Sequence, residues 1–250
     1  MPEPGGVSVE TRCDLDRITV IFRGRLDSST YCPVRDRVIA AALDGHDVVV
    51  ADVSELEAAA DSAWTAFASA RWHVRTWPGV PIVLVCADPG RRASITRSAI
   101  TRQVPMYTAP PEPSDITVAR RSVLQRARTE LQPEVSSLRQ ARGLVAEWLE
   151  EWDRSDLTLA AATLATILIE NVLAHTASDP VLVVEADCDT VTVAVTDHSH
   201  SRATRRETSK AGAHTVSGLA IVAALSREWG CTPRTDGKTV WALLGPENHL

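Results

Sequence analysis

The chain has 250 residues, 44% of them hydrophobic, and a net charge of -6 from 26 basic and 32 acidic side chains. That length suits two domains of ordinary size better than one large one, and the acidic balance gives no reason to expect nucleic acid or an anionic membrane surface as a main partner. The five cysteines, Cys13, Cys32, Cys86, Cys188 and Cys231, show neither CxxC pairing nor histidines at ligand spacing, which speaks against a zinc site and a disulfide framework and for a reducing compartment.

In chain order, the opening "MPEPGGVSVETRCDLD" lacks a basic and then apolar signal region. No stretch is expected to approach the roughly 18 apolar residues that a membrane span needs, so the expected localisation is cytoplasmic. Residues Ile18 to Gly24, Asp47 to Val53 and Val80 to Ala87 are short, β-branched and bounded by Gly, Asp or Pro, as buried strands are. Val34 to Leu43 and Ser62 to Val74 carry apolar residues at helical spacing between them. The first ~115 residues therefore alternate β and α in the rhythm of a layered α/β domain.

"TAPPEPSD", Thr108 to Asp115, interrupts that rhythm with three prolines. Ile116 to Glu151 is charged and amphipathic, which predicts surface helices, with residues 116–137 as a helical connector between a domain over 1–115 and another over 138–250. The apolar helix ending "ATILIENVLAHT" (165–176) follows, and then "PVLVVEAD" and "TVTVAVTD", two alternating runs split by a Cys-Asp turn, predict a hairpin over Pro180 to Asp197. A basic stretch without periodicity, His198 to Thr215, precedes an expected helix over Ser217 to Gly230 and a closing strand over Lys238 to Gly245. The second half reads as α+β.

Two constellations carry chemistry. In "VVVADVSELEAAADSAW" a buried strand leads through a loop to a helix whose first turn holds Asp61 and Ser62. Such residues cap helix starts, and the same position favours a phosphoryl group, because the helix dipole and free N–H groups attract negative charge. In the second half Ile167, Asn171 and His175 are spaced by four and share a helix face, whereas Glu170 lies about 100° away. Asn171 offers an oxygen suited to Mg²⁺, or is a buried amide bonded to backbone. Downstream, Asp197 ends a strand, where a carboxylate accepts from an adenine amino group, and Ser217-Gly218 opens a helix where phosphate approaches backbone N–H groups. Arg202, Arg205, Arg206 and Lys210 suit either phosphate or a solvated loop face.

The segment from about Val7 to Thr108 resembles a STAS domain, the α/β fold of anti-sigma factor antagonists, through "FRGRLDSST", "VVVADVSELEAAADSAW" and "PIVLVCADPGRRASI". The resemblance implies that Ser62 is the phosphoacceptor, with Asp27 and Asp61 nearby. Asp27 also suits a turn that caps the helix after Thr30. The motif's second Ser and its Gly are Ala63 and Trp64 here, and a Trp in that place is expected to change the surface a partner reads.

Leu138 to Leu244 resembles the GHKL (Bergerat) ATPase fold, and within it the actinobacterial anti-sigma factor serine kinases, through "ENVLAHT", "VAVTDHS", "SGLAIVAALSREWG" and "DGKTVWALLG". That resemblance implies ATP and Mg²⁺ as cofactors, with Asn171 on the metal, His175 near it, Asp197 on adenine, Gly218 and Leu219 at the phosphates, and Thr239 completing the adenine pocket. The sequence departs from the pattern at Ile167, where the general-base Glu would stand, at Ser199 and Ser201 in place of two glycines, and at Val216 in place of a third. Glu170 is the one carboxylate near enough in sequence to stand in as a base, and it points the wrong way. The two resemblances together imply a partner-switching regulator that binds a sigma factor, anti-sigma or STAS regulatory proteins. The alternatives are an active serine kinase acting on Ser62 or on a partner, and a scaffold without nucleotide.

Overall fold

The computed structural model describes residues 6–14, 16–112, 116, 125–176, 178–199, 218–234 and 236–248. The chain divides into two compact units, Met1–Ala119 and Arg120–Leu250.

In the first unit the elements run β1 (Val7–Cys13), β2 (Arg17–Leu26), α1 (Tyr31–Leu43), β3 (Val48–Ala58), a 3₁₀ turn at Asp61–Trp64, α2 (Thr65–His73), β4 (Ile82–Val85), α3 (Pro89–Arg97) and β5 (Met106–Tyr107). The five strands form one sheet in the order β1-β2-β3-β4-β5. β1 pairs antiparallel with β2, and the remaining pairs are parallel. β3 is apolar on both faces: Val48, Val49, Val50 and Ala51 are all buried, as a central parallel strand requires. α3 starts where Pro89 takes the first turn and the Asp88 side chain accepts from Arg91 N–H at 2.7 Å, a combination that fixes a helix N-terminus. The three expected strands and two expected helices are present, and β1 is an additional edge strand. The helix expected from Ser62 begins as a 3₁₀ turn and becomes α-helical at Thr65.

The second unit contains β6 (Gln125–Glu130), α4 (Ser136–Glu151), α5 (Thr158–His175), β7 (Val181–Ala186), β8 (Val191–Asp197), α6 (Gly218–Leu225), β9 (Glu228–Arg234) and β10 (Gly237–Leu244). Its sheet has the order β6-β7-β8-β10-β9 with every pair antiparallel. One core joins Leu182, Val184, Val193, Val195 and Leu244 of the sheet to Val145 and Leu149 of α4, Leu164 and Leu168 of α5, and Leu219 and Val222 of α6. The helices therefore cover one sheet face.

Three expectations change here. Residues 125–130 are strand rather than helical connector: in "QRARTE" the alternation of long polar chains with Ala127 and Thr129 fits an edge strand on β7, and the charges that suggested a surface helix are those an exposed sheet edge tolerates. The helix expected over Ser217 to Gly230 ends at Leu225, and residues 228–234 pair with β10 instead. Ser155–His175 is, by length and composition, apolar enough to cross a bilayer. Ala160, Ala161, Leu164, Ala165, Leu168 and Ile169 of that stretch lie in the core of the unit.

Candidate functional site

Parallel strands bring their C-terminal ends to one edge, where open α/β sheets present their sites. β2, β3 and β4 end there at Leu26, Ala58 and Val85, and the Ala59 N–H donating to Leu26 O at 2.9 Å ties the two turns beyond β2 and β3 together. Asp27 and the Asp61–Trp64 turn therefore lie at the same edge. Ser62 is exposed there. Its neighbour Asp61 is fixed: Arg97 Nε donates to one carboxylate oxygen at 2.7 Å and Nη2 to the other at 3.1 Å, and the Ser94 hydroxyl donates to it as well. Arg97 first, and Ser94 second, hold the Asp61 carboxyl below its ordinary value. The serine thus sits on a turn pinned to α3, with its own hydroxyl outward.

Trp64 lies in the core, as expected of a Trp on a helical stretch, and not on the surface a partner would read. Its ring is 1% exposed, stacks on Phe67 at 6.3 Å and donates its indole N–H to Ser94 Oγ at 2.9 Å. It alters the core beneath the turn and leaves the outer surface to Ser62 and Ala63, because the 3₁₀ turn points every third side chain inward. Asp27 makes a capping turn: Oδ1 accepts from Ser29 N–H at 2.9 Å, Ser29 Oγ–H at 2.6 Å and Thr30 N–H at 3.3 Å. Those bonds, the Ser29 hydroxyl foremost, lower its pKa. Arg91 and Arg92 reach the same edge but bond to the carbonyls of Ser54, Cys86 and Ala87, so they brace the loops. Ser94 and Arg97 were not singled out from the sequence, and their spacing of three on α3 is the only sequence sign that both can face one neighbour.

In the second unit, α5 carries Ile167, buried, and Asn171, half-buried, while Glu170 and His175 are exposed. The polar residues of this apolar helix are therefore mostly in water, which removes the desolvation cost their sequence context suggested. A Cβ placed on Gly218 would lie 3.0 Å from Ile167 Cγ2 and 3.5 Å from Asn171 Oδ1. The start of α6 is packed against the Asn171 amide, and Gly218 permits that approach. The next residue, Leu219, turns its side chain into the core. Arg202, Arg205, Arg206, Lys210, Ser201, Val216 and Ser217 lie outside the described residues.

Asp197 is 4% exposed and does not stand alone. In the β8–β10 register it faces Lys238, whose Nζ is 3.0 Å from each carboxylate oxygen and 3.3 Å from Ser199 O. Ser199 N–H also donates to Asp197 Oδ1 at 2.7 Å. Thr239 goes elsewhere. Directly opposite residues share a face and successive residues alternate, so Lys238 joins Asp197 on the helix side of the sheet, while Thr239 pairs with Thr196 on the other side, hydroxyl to hydroxyl at 2.7 Å. The expected adenine pair of Asp197 and Thr239 is thus split across the sheet.

These residues do not fit ATP and Mg²⁺ in the arrangement the resemblance implies. The purine acceptor is ion-paired to the chain's own lysine, Thr239 is on the wrong face, the general-base position is Ile167, and Glu170 points to solvent. Among the described residues no group of three or more His, Cys, Asp or Glu side chains is arranged to hold a metal ion. What the geometry does bring together is Asn171 with Gly218, and Asp197 with Lys238. Lys238 escaped the sequence reading although it precedes Thr239 by one residue; strand parity was the signal that would have found it.

No family model matches the chain. No curated protein matches it either. Among solved structures it is similar to an anti-sigma factor antagonist from Mycobacterium paratuberculosis, at 17% identity and a TM-score of 0.37 over 46% of this chain and 94% of that one. It is also similar to the anti-sigma factor antagonist SpoIIAA in its unphosphorylated form, at 14% identity and a TM-score of 0.33 over 40% of this chain and 89% of that one. A third likeness is to the RsbU and RsbW domains of Rv1364c from Mycobacterium tuberculosis, at 19% identity and a TM-score of 0.33, covering 48% of this chain and 32% of that one.

Proposed function

We propose that the chain is a cytoplasmic partner-switching regulator of the anti-sigma factor antagonist kind, which binds an anti-sigma factor or a related regulatory protein through the Ser62 edge of its first unit. The observation that carries this reading is the exposed Ser62 on a turn whose preceding residue is locked by Arg97 and Ser94. A hydroxyl so presented is open to a kinase. A phosphate there adds close to two negative charges to a surface whose shape the turn holds constant, so the modification changes affinity through charge rather than through refolding.

Binding suits the second unit better than turnover. Loss of a general base costs about 10²- to 10⁴-fold in rate, and Ile167 cannot take a proton. The Asp197–Lys238 pair favours the scaffold reading of this unit over a Ser62-directed kinase.

The test is a binding titration of the full chain, as wild type, Ser62→Ala and Ser62→Asp, against the anti-sigma factors of the same genome. At least one is expected to bind wild type and Ser62→Ala and to lose affinity for Ser62→Asp by roughly tenfold or more, the size of a 1.4 kcal/mol change. Equal binding of all three proteins to every factor, or none to any, defeats the proposal. Incubation with labelled ATP and Mg²⁺ separates the kinase alternative, since label that disappears in Ser62→Ala shows that the chain phosphorylates its own Ser62, within one copy or between copies.

A further inference from the structure

The pair formed by Asp197 and Lys238 is unusual for an ammonium group. Lysine is rarely buried, because its hydrated head loses water that only good partners replace. Here the Lys238 side chain is 12% exposed and the Asp197 side chain 4%. The ammonium reaches both carboxylate oxygens at 3.0 Å and a backbone carbonyl, Ser199 O, at 3.3 Å. The position is set by the sheet: β8 and β10 place the two residues opposite one another on the face covered by the helices. Gly237, just before Lys238, lets β10 start close against β8, since a Cβ there would collide with the Asp197 carbonyl.

An ionised carboxylate accepts from an exocyclic amino group, and a lysine ammonium presents the same kind of N–H donor with a full charge added. Charge-assisted hydrogen bonds are roughly twice as strong as neutral ones, and Lys238 is tethered, so a neutral purine amine competes at a disadvantage. Resting on the resemblance of Leu138 to Leu244 to the GHKL ATPase fold, we infer that Lys238 is an internal substitute for the adenine amino group, which keeps this unit closed to adenine nucleotides. The second side of the same region is closed as well, because the start of α6 lies on Asn171 and Ile167 with room for a glycine only. The inference assigns Lys238 a role in ligand exclusion beyond its part in the fold.

The experiment is titration of the full chain with ADP and with adenosine, without metal, followed by calorimetry, for wild type, Lys238→Met and the double variant Lys238→Met/Asp197→Asn. Lys238→Met is expected to bind adenosine at least roughly tenfold more tightly than wild type, since an intact pair taxes apparent affinity by the fraction of open molecules. The double variant is expected to lose that gain, because the acceptor itself is gone. A purely structural lysine would lower the melting temperature without creating adenosine affinity. Circular dichroism confirms that each variant is folded. If Lys238→Met has melted at the working temperature, Lys238→Gln, which still donates to Asp197 but carries no charge, takes its place with the same expected direction. Wild type that binds as tightly as the Lys238 variant overturns the exclusion role while leaving the nucleotide-domain reading intact. Absence of binding in every folded variant overturns both.

Discussion

Truncating Trp64 to alanine measures how much of the first unit rests on an indole that stands where the resembled motif has a glycine. The indole is 1% exposed, its ring stacks on Phe67 with centroids 6.3 Å apart, and its N–H donates to Ser94 Oγ at 2.9 Å. Removing a buried aromatic side chain costs about 3–5 kcal/mol. The lost hydrogen bond adds about 1 kcal/mol at most, because Ser94 keeps Asp61 as its acceptor and is not left unpaired. The expected loss is therefore about 4 kcal/mol, close to the lower end of the roughly 5–15 kcal/mol that holds a typical domain together. Trp64→Phe keeps most of the volume and the stacking and is expected to lose only about 1–2 kcal/mol. Urea unfolding of the full chain, followed by far-ultraviolet circular dichroism, reads this out. With a slope of about 1–3 kcal/mol per molar urea, Trp64→Ala should move the midpoint of one transition down by about 2 M. A loss below about 1 kcal/mol, with Trp64→Phe no better than Trp64→Ala, would refute a buried indole and place this residue at the surface.

Two further outcomes follow from the second unit. The Arg227 guanidinium, bonded to both Glu247 oxygens at 2.6 Å, lowers the Glu247 pKa from 4.5 to about 2. A depressed folded-state value means that its contribution is complete above the ordinary value of 4.5 and disappears as pH falls towards about 2. Carboxyl titration by NMR should therefore show a midpoint near 2 for Glu247 and a return towards the ordinary range in Arg227→Met; a wild-type midpoint near 4.5 would show that the pair is absent in solution. Gly230→Ala places a Cβ 2.5 Å from Trp241 Cζ2 and forces the indole away from Thr232 Oγ1, to which its N–H donates at 3.1 Å. Overpacking of this kind costs about 1–3 kcal/mol, and an unchanged near-ultraviolet spectrum with unchanged stability would contradict that contact.

Much of the architecture was legible because hydrophobic period reports burial directly. The apolar run through Val48 to Val53 reads as a buried parallel strand, and the alternation across Val181 to Asp197 reads as a hairpin, because in both cases the side chains themselves record which faces are covered. β6 and β9 were not legible for the complementary reason. "QRARTE" carries charges because it lies at a sheet edge, and "EWGCTPR" contains Gly, Cys and Pro in place of a clean alternation, so neither segment announces a strand. At the Ser62 edge the outward serine was readable, but not the anchoring of Asp61, since Ser94 and Arg97 lie more than thirty residues away and meet it only through the fold.

The split between Thr239 and Asp197 shows where motif matching fails on physical grounds. A motif assigns roles by order along the chain, whereas a sheet assigns them by parity, and a shift of one residue moves a side chain to the opposite face. Once Asp197 is known to face the helices, the antiparallel register leaves no freedom: its partner across the ladder is Lys238, and Thr239 must meet Thr196. The same pairing that disqualifies Thr239 from the adenine position puts an ammonium group on the carboxylate that adenine would need. A single register thus accounts for both departures, and the chemistry of this region turns on whether Lys238 stays where β10 puts it.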